Sequence, residues 1–220
     1  VNSYETQAMQ KMMESAGYEI VPFGEEIADI YIINTCSVTN IADRKSRQMI
    51  HKAKKLNPEA VVAAAGCYVE SAGDNIDEDV DIVIGNNEKS HLIEILNEYF
   101  EHMDKEKSVD IGKATDFDEL NIDSPLEHTR AYVKIQDGCN RFCSYCIIPY
   151  VRGRIRSRKP DDVMAEIKRV AASGCKEVVL TGIHLSSYGL DFKDSTVKLI
   201  DVIEAVNRIE GIERIRLGSL

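Results

Sequence analysis

Hydrophobic and polar positions alternate along this chain in two blocks, each a succession of short apolar runs and amphipathic segments, with a polar stretch between them. In the first block Met9, Met12, Met13 and Ala16 recur on one face of a helix that stops at Gly17. Tyr18-Glu19-Ile20-Val21 reads as a short strand, Asp29-Ile30-Tyr31-Ile32-Ile33-Asn34 as a buried one, and residues 41–56 as a helix ending before Asn57-Pro58. Ala60-Val61-Val62-Ala63-Ala64-Ala65 and Val80-Asp81-Ile82-Val83-Ile84 are the next strands, and a helix over 88–100 closes the block. Strands alternating with helices imply a parallel sheet covered by helices, with right-handed crossovers.

Residues 101–129 carry many charges and few large apolar side chains, which predicts a linker or peripheral strap. A second alternation follows: a strand over 131–136, a cysteine-bearing loop, a helix over 160–172 with Pro160 in its first turn and Gly174 closing it, and a strand over 177–181. A helix over 196–208, capped by Ser195, and a strand over 213–217 complete it. Three such strands predict part of a βα barrel, a fold whose chemistry sits at the carboxyl ends of the strands. The expected class is therefore α/β, with domains at 1–100 and 130–220 joined by 101–129. The chain opens on a helix and stops inside a strand-like run, so the first domain is expected to lack its opening strand and the barrel its later ones.

Composition narrows the options. The net charge of -10 argues against a chain coated with nucleic-acid contacts, but the balance is uneven: residues 131–220 hold 15 basic against 11 acidic side chains, whereas 1–100 hold 8 against 17. A local basic stripe can bind phosphate while the rest of the molecule stays acidic. No apolar run approaches the roughly 20 residues of a membrane span, and nothing at the start reads as a signal peptide, so a soluble cytoplasmic protein is expected. The six cysteines are clustered or isolated, a pattern that suits metal binding in a reducing compartment better than a disulfide framework.

The chemistry concentrates in Asp137-Gly138-Cys139-Asn140-Arg141-Phe142-Cys143-Ser144-Tyr145-Cys146, a C-x3-C-x2-C loop that follows a strand. Three thiolates can hold three irons of a 4Fe-4S cube and leave the fourth open to a ligand. Alternatives are a zinc site, which usually takes four protein ligands in a tetrahedron, or inert thiols. No cysteine lies between Cys146 and Cys175, and the next histidine is His184. In the first block Cys36 and Cys67 each follow a strand, so both belong at one edge of a parallel sheet, where ligands bind. Taken alone, each also reads as a small buried residue.

Asn34-Thr35-Cys36, Gly66-Cys67, the Asp137–Pro149 stretch with its three cysteines, and Arg152-Gly153 followed by Ser157-Arg158 together resemble the radical S-adenosylmethionine (SAM) methylthiotransferases along the whole chain. The resemblance implies an amino-terminal flavodoxin-like parallel-sheet domain followed by the first half of a radical SAM partial barrel. It implies two 4Fe-4S clusters: one on Cys139, Cys143 and Cys146, whose open iron chelates SAM, and one on Cys36, Cys67 and a third cysteine just before Val1. SAM would be cleaved to a radical that activates C2 of an adenine, the second cluster would give the sulfur, and another SAM the methyl group. Thr181-Gly182-Ile183-His184-Leu185-Ser186-Ser187-Tyr188-Gly189 and the opening Asn2-Ser3-Tyr4-Glu5 are most similar to the group acting on N6-threonylcarbamoyladenosine beside the tRNA anticodon. Members acting on isopentenyladenosine or on a ribosomal-protein aspartate, and a non-catalytic metal-binding RNA module, are the alternatives. As given, the chain is expected to be inactive alone. Partners implied are tRNA and a flavodoxin-like or ferredoxin-like reductant.

The remaining candidates follow from position. Tyr145, between two cluster cysteines, is expected near the SAM adenine or packed over the cluster, and Thr181 and Gly182 offer carbonyls to the SAM amino group. Arg152, Arg154, Arg156 and Arg158, with Lys159, form the strongest basic run and are read as contacts to RNA phosphates rather than an ordinary solvated loop. Arg44-Lys45-Ser46-Arg47 is a weaker candidate. His184 is read as satisfying its loop, and Cys175 as structural.

Overall fold

A computed structural model describes residues 2–36, 39–102, 120, 130–193 and 196–220 of the chain. Helix α1 (Asn2–Ser15) precedes a sheet of three parallel strands, β1 (Ile30–Thr35), β2 (Val61–Gly66) and β3 (Ile82–Ile84), in the order β1-β2-β3. Successive side chains leave a strand on opposite faces, so both faces need cover. Tyr31, Ile33, Val62 and Ala64 pack on Ile50 and Ala53 of α2 (Asn40–Leu56) and on Tyr68 and Val69 of α3 (Cys67–Ala72). Ala63, Ala65, Ile82 and Ile84 pack on Met9 and Met13 of α1 and on Leu92 and Leu96 of α4 (Leu92–His102). Helix α2 starts where Thr39 caps it, its hydroxyl oxygen accepting the Ala42 N–H at 3.1 Å.

The strand expected at 18–21 does not form. Residues 18–22 have no regular structure and lead into an isolated bridge between Phe23 and Glu26, with the Phe23 ring edge-on to Tyr31. The chain turns at Phe23–Glu26, with Gly24 at φ +84°, where a ladder would have to continue.

From Arg130 the chain runs through β4 (Arg130–Lys134), β5 (Gln136–Asp137), α5 (Ile148–Val151), β6 (Arg156–Ser157), α6 (Pro160–Ala172), β7 (Glu177–Thr181), α7 (Leu199–Asn207) and β8 (Arg214–Leu217). Strands β4, β7 and β8 form a parallel sheet in that order, and β5 pairs antiparallel with β6. Val133, Ile135, Val178 and Leu180 bury against Val163, Ile167 and Val170 of α6 and Val202 and Val206 of α7. Cys175 lies in this core, its Sγ against the Glu177 carbonyl at 3.4 Å. The start of α7 is tied by the Lys198 N–H donating to Asp201 Oδ2 at 2.7 Å; Ser195 lies outside the described residues, as does the 101–129 segment apart from Glu101, His102 and Leu120.

Helix α1 joins the halves. Met9 and Met13 face the first sheet, while Tyr4 and Ala8 face Leu120 and Tyr132 of β4. Tyr4 Oη donates to the Leu120 carbonyl.

Candidate functional site

In the register of β1 and β2, Thr35 sits opposite Gly66, so Cys36 and Cys67 leave neighbouring strands at the same level. Adjacent strands lie about 4.8 Å apart, which brings the two residues to one point on the carboxyl edge of the sheet. Two local devices fix this edge. Thr35 Oγ1 donates to the Ala65 carbonyl at 2.6 Å and accepts the Tyr68 N–H at 3.1 Å, holding the turn that carries Cys67. Gly66 has φ +100°, and a Cβ there would sit 2.9 Å from the Thr35 carbonyl, so only glycine allows the approach. On the other strand, the Cys36 N–H donates to Ser46 Oγ at 3.1 Å. Within the basic run of α2, therefore, Ser46 supports Cys36, while Arg47 pairs with Asp43 at 3.0 Å.

Cys139, Cys143 and Cys146 lie on one loop between β5 and α5, with Cys139 buried, Cys146 half-buried and Cys143 exposed. Beneath them Gly138 (φ +70°) passes so close to the turn of Gly153 and Arg154 that a Cβ would lie 1.8 Å from the Arg154 carbonyl oxygen. Phe142, with φ +48°, bends the loop a second time. The Arg141 N–H points at Cys139 Sγ, 3.5 Å away, an arrangement that suits a thiolate ligand. Among the described residues only His51, Asp77 and Asp79 bring three ligand atoms within 4.8 Å of one another. At least two of the three loop sulfurs therefore lie more than 4.8 Å apart in this structure. Substituting Gly138 by Ala is expected to deprive the loop of its metal, since the clash adds to the roughly 1–2 kcal/mol cost of a left-handed conformation. Iron per chain after anaerobic reconstitution measures it.

Gln136 is a residue that the sequence reading did not single out. Its Nε2 donates to the carbonyls of Asp137 and Gly138 at 2.7 and 2.8 Å, and its Oε1 accepts the N–H groups of Ile183 and His184 at 2.9 and 2.8 Å. One buried amide thus locks the cysteine loop to the segment after β7. Thr181 and Gly182 lie there, both buried, and the Thr181 carbonyl accepts the Ile135 N–H in the sheet. His184 places Nδ1 2.7 Å from Ser187 Oγ within its own loop. Tyr145 is 91% exposed.

The arginine run is not a solvated stripe. Arg152, Arg156 and Arg158 are all 2% exposed or less, and each is held by protein groups. Arg152 Nη1 reaches Glu5 Oε1 at 3.0 Å and Asp137 Oδ2 at 3.1 Å. Arg156 Nη2 donates to Asn87 Oδ1 at 2.9 Å, and Arg158 pairs with Glu166 of α6. Burial therefore argues against the expectation that all four arginines meet phosphates: Arg152 and Arg158 pair with buried carboxylates, Arg156 is sealed against Asn87, and of the four only Arg154 is exposed. Arg154 is exposed, 4.3 Å above the Phe142 ring, and Lys159 is exposed beside α6.

Around Arg152 lies a buried ionic layer. Lys89 Nζ is 2.6 Å from Glu5, and Lys134 Nζ is 3.0 Å from Glu5 and 2.7 Å from Asp137. Burial alone would raise the pKa of Glu5, but Arg152, Lys89 and Lys134 together hold it well below the usual carboxylate range. Asp137 is held low in the same way against its burial by Lys134 and Arg152. Contacts run from this layer towards both cysteine sets: Asn86 Nδ2 lies 3.7 Å from Cys67 Sγ and 2.6 Å from the Val151 carbonyl, and Asp137 Oδ1 accepts the Gly138 N–H at 2.7 Å.

Comparison with known proteins matches residues 1–85 to a family described as "Uncharacterized protein family UPF0004" and residues 133–218 to the radical SAM superfamily. The chain is 42% identical to threonylcarbamoyladenosine tRNA methylthiotransferase MtaB of Bacillus subtilis, a match covering 100% of this chain and 49% of that protein. The protein of the same name from Aquifex aeolicus is 43% identical, with 100% and 53% covered. The tRNA-2-methylthio-N(6)-dimethylallyladenosine synthase of Moorella thermoacetica is 36% identical, with 98% and 50% covered. The chain thus spans about half the length of the curated relatives it matches. In fold it is similar to the radical SAM methyltransferase TsrM from Kitasatospora setae, solved with cobalamin and a 4Fe-4S cluster, at TM-score 0.58 and 11% identity over 91% of this chain and 47% of that one. No helix among the described residues is long and apolar enough to cross a membrane.

Proposed function

We propose that this chain, which belongs to the radical SAM methylthiotransferase family, is part of an enzyme that adds a methylthio group to an adenosine of tRNA. The finer reading is transfer to C2 of N6-threonylcarbamoyladenosine beside the anticodon. It is supported by identities of 40 to 43% to three relatives named for that nucleoside, with a fourth of the same name at 34%, against 35 to 36% for the dimethylallyladenosine synthases. The observation that carries the proposal is the apposition of two cysteine sets, Cys36 with Cys67 and the Cys139, Cys143 and Cys146 loop, across the layer of Glu5, Asp137 and Arg152.

In this reading Cys139, Cys143 and Cys146 hold one 4Fe-4S cluster, and Cys36 and Cys67 take part in holding another. When bound, the first supplies with SAM the radical that activates the adenine, and the second supplies sulfur. The residues of this chain position and exclude. Gln136 keeps the cysteine loop in register with Thr181 and Gly182, where a backbone carbonyl can take the SAM amino group. Tyr145 presents an exposed ring on which an adenine can stack. Arg154 and Lys159, both exposed near the loop, replace the four-arginine stripe as the RNA-phosphate contact. A flavodoxin-like or ferredoxin-like protein would deliver the electron, and the setting would be the cytoplasm.

The test is metal and turnover analysis of the full-length protein reconstituted without oxygen. Changing Cys139, Cys143 and Cys146 together to Ala is expected to remove about four irons and all SAM cleavage. Zinc in place of iron in the unaltered protein, or cleavage that survives the change, contradicts the proposal.

A further inference from the structure

The loop that carries Cys139, Cys143 and Cys146 also builds an exposed aromatic patch that cluster binding does not use. Phe142, at φ +48°, is the lone non-glycine residue with a left-handed backbone among the described residues. Such strain persists where the surroundings hold it, and it gathers at functional sites. Here it sets the Phe142 ring, 37% exposed, perpendicular to the Tyr150 ring with centroids 5.7 Å apart and under the Arg154 guanidinium at 4.3 Å. Tyr150 is 67% exposed, because its neighbours Pro149 and Val151 take the buried side of α5. The patch is stitched together by its backbone. The Cys139 N–H donates to the Gly153 carbonyl and the Ile155 N–H to Asn140 Oδ1, each at 3.1 Å, so the turn bearing Arg154 is tied to the cysteine loop.

Charge points to the occupant. From Gly138 to Pro160 the sequence holds no Asp or Glu, while Arg141, Arg154 and Lys159 are exposed. Among the described residues none of these three has an ion-pair partner. Cations alone would suit any acidic surface. Exposed rings beside an unpaired cation suit a nucleotide, which brings a flat π-face and a phosphate together. Its base must be unpaired, since a base inside a duplex has both faces covered by its neighbours.

We infer that Phe142, Tyr150 and Arg154 form a docking platform for one unpaired nucleotide of the anticodon loop, its base stacked on Tyr150 and its phosphate on Arg154, with Phe142 bracing the two. This rests on the tRNA reading above and adds the residues that seat the loop.

The experiment measures binding of a synthetic anticodon stem-loop RNA to the full-length protein, reconstituted without oxygen, over a series of salt concentrations. A fully paired RNA of the same length is the control. Tyr150→Ala should weaken stem-loop binding roughly tenfold, the value of one base–aromatic stack, with the salt slope and the duplex affinity unchanged. Tyr150→Phe keeps the ring and should stay near the parent. Arg154→Gln should lower the slope of log affinity against log salt by about one, as the loss of one phosphate contact does. A patch that only supports the fold would not separate affinity from slope in this way. Unchanged stem-loop affinity in a Tyr150→Ala protein that retains its iron overturns the inference, and slower reduction of that protein by flavodoxin would assign the patch to the electron donor instead. An unchanged salt slope in Arg154→Gln overturns it equally, so the test stands even if Tyr150→Ala loses its iron. A parent that binds neither the stem-loop nor whole tRNA overturns the tRNA reading itself, a distinct result.

Discussion

Replacing Glu5 with Gln is expected to destabilise the folded protein by about 3–5 kcal/mol, the cost of removing one partner from a buried ionic pair. Glu5 is fully buried and holds Lys89, Lys134 and Arg152 at 2.6–3.0 Å. A neutral amide leaves Asp137 to serve the last two alone. The exposed pair of Lys176 and Glu213, 2.7 Å apart, is the control: Glu213→Gln should change nothing measurable, because solvent screens that contact. The effect carries a pH signature. The folded-state pKa of Glu5 is depressed from an unfolded value of roughly 4.3, so its stabilisation is complete above about pH 5 and is lost as pH falls through 4 toward the folded value. Urea midpoints recorded from pH 7 to pH 3 should show this acid slope in the unaltered protein and a shallower one in Glu5→Gln. A midpoint unchanged at pH 7 would mean that Glu5 is not the tie between the halves.

Some of this was legible in the sequence, and the reasons differ residue by residue. Helix α6 and strand β7 fall on the expected 160–172 and 177–181 because Pro160 and Gly174 (φ +90°) punctuate them chemically. The convergence of Cys36 and Cys67 was legible because parallel strands gather their carboxyl ends at one edge. Helices α3 and α5, of six and four residues, were not, since a single turn carries no periodicity. The arginine run was misread for a different reason. Counting charge within a segment says nothing about partners far away in sequence, and Arg152 finds Glu5 147 positions earlier. Arginine is almost never fully buried unless paired, and only the fold reveals that pairing. Glu5 and Asp137 stood inside the motifs of the resemblance, yet their role as counterions appears only once α1 is packed between the sheets.

The second large effect concerns Cys36 and Cys67. In the full-length enzyme, changing both to Ala should leave SAM cleavage intact, because the loop cysteines and Gln136 are untouched. Methylthio transfer should fall at least a hundredfold, beyond the roughly 10–100-fold that changes to outer-shell partners cost at metal sites. Cleavage assayed by release of 5'-deoxyadenosine, alongside product formation on tRNA, separates the two. Parallel loss of both activities would mean that these cysteines only support the fold, and undiminished transfer would remove the sulfur role.

The central claim, that the protein modifies an adenosine of tRNA, is tested most directly by mass spectrometry of tRNA nucleosides from cells lacking the full-length gene. The account predicts that 2-methylthio-N6-threonylcarbamoyladenosine disappears, with its unmethylthiolated precursor accumulating in its place, and that the unaltered gene restores it while the Cys36→Ala, Cys67→Ala form does not. An unchanged nucleoside profile, with the methylthio group missing instead from a ribosomal-protein aspartate, would contradict it.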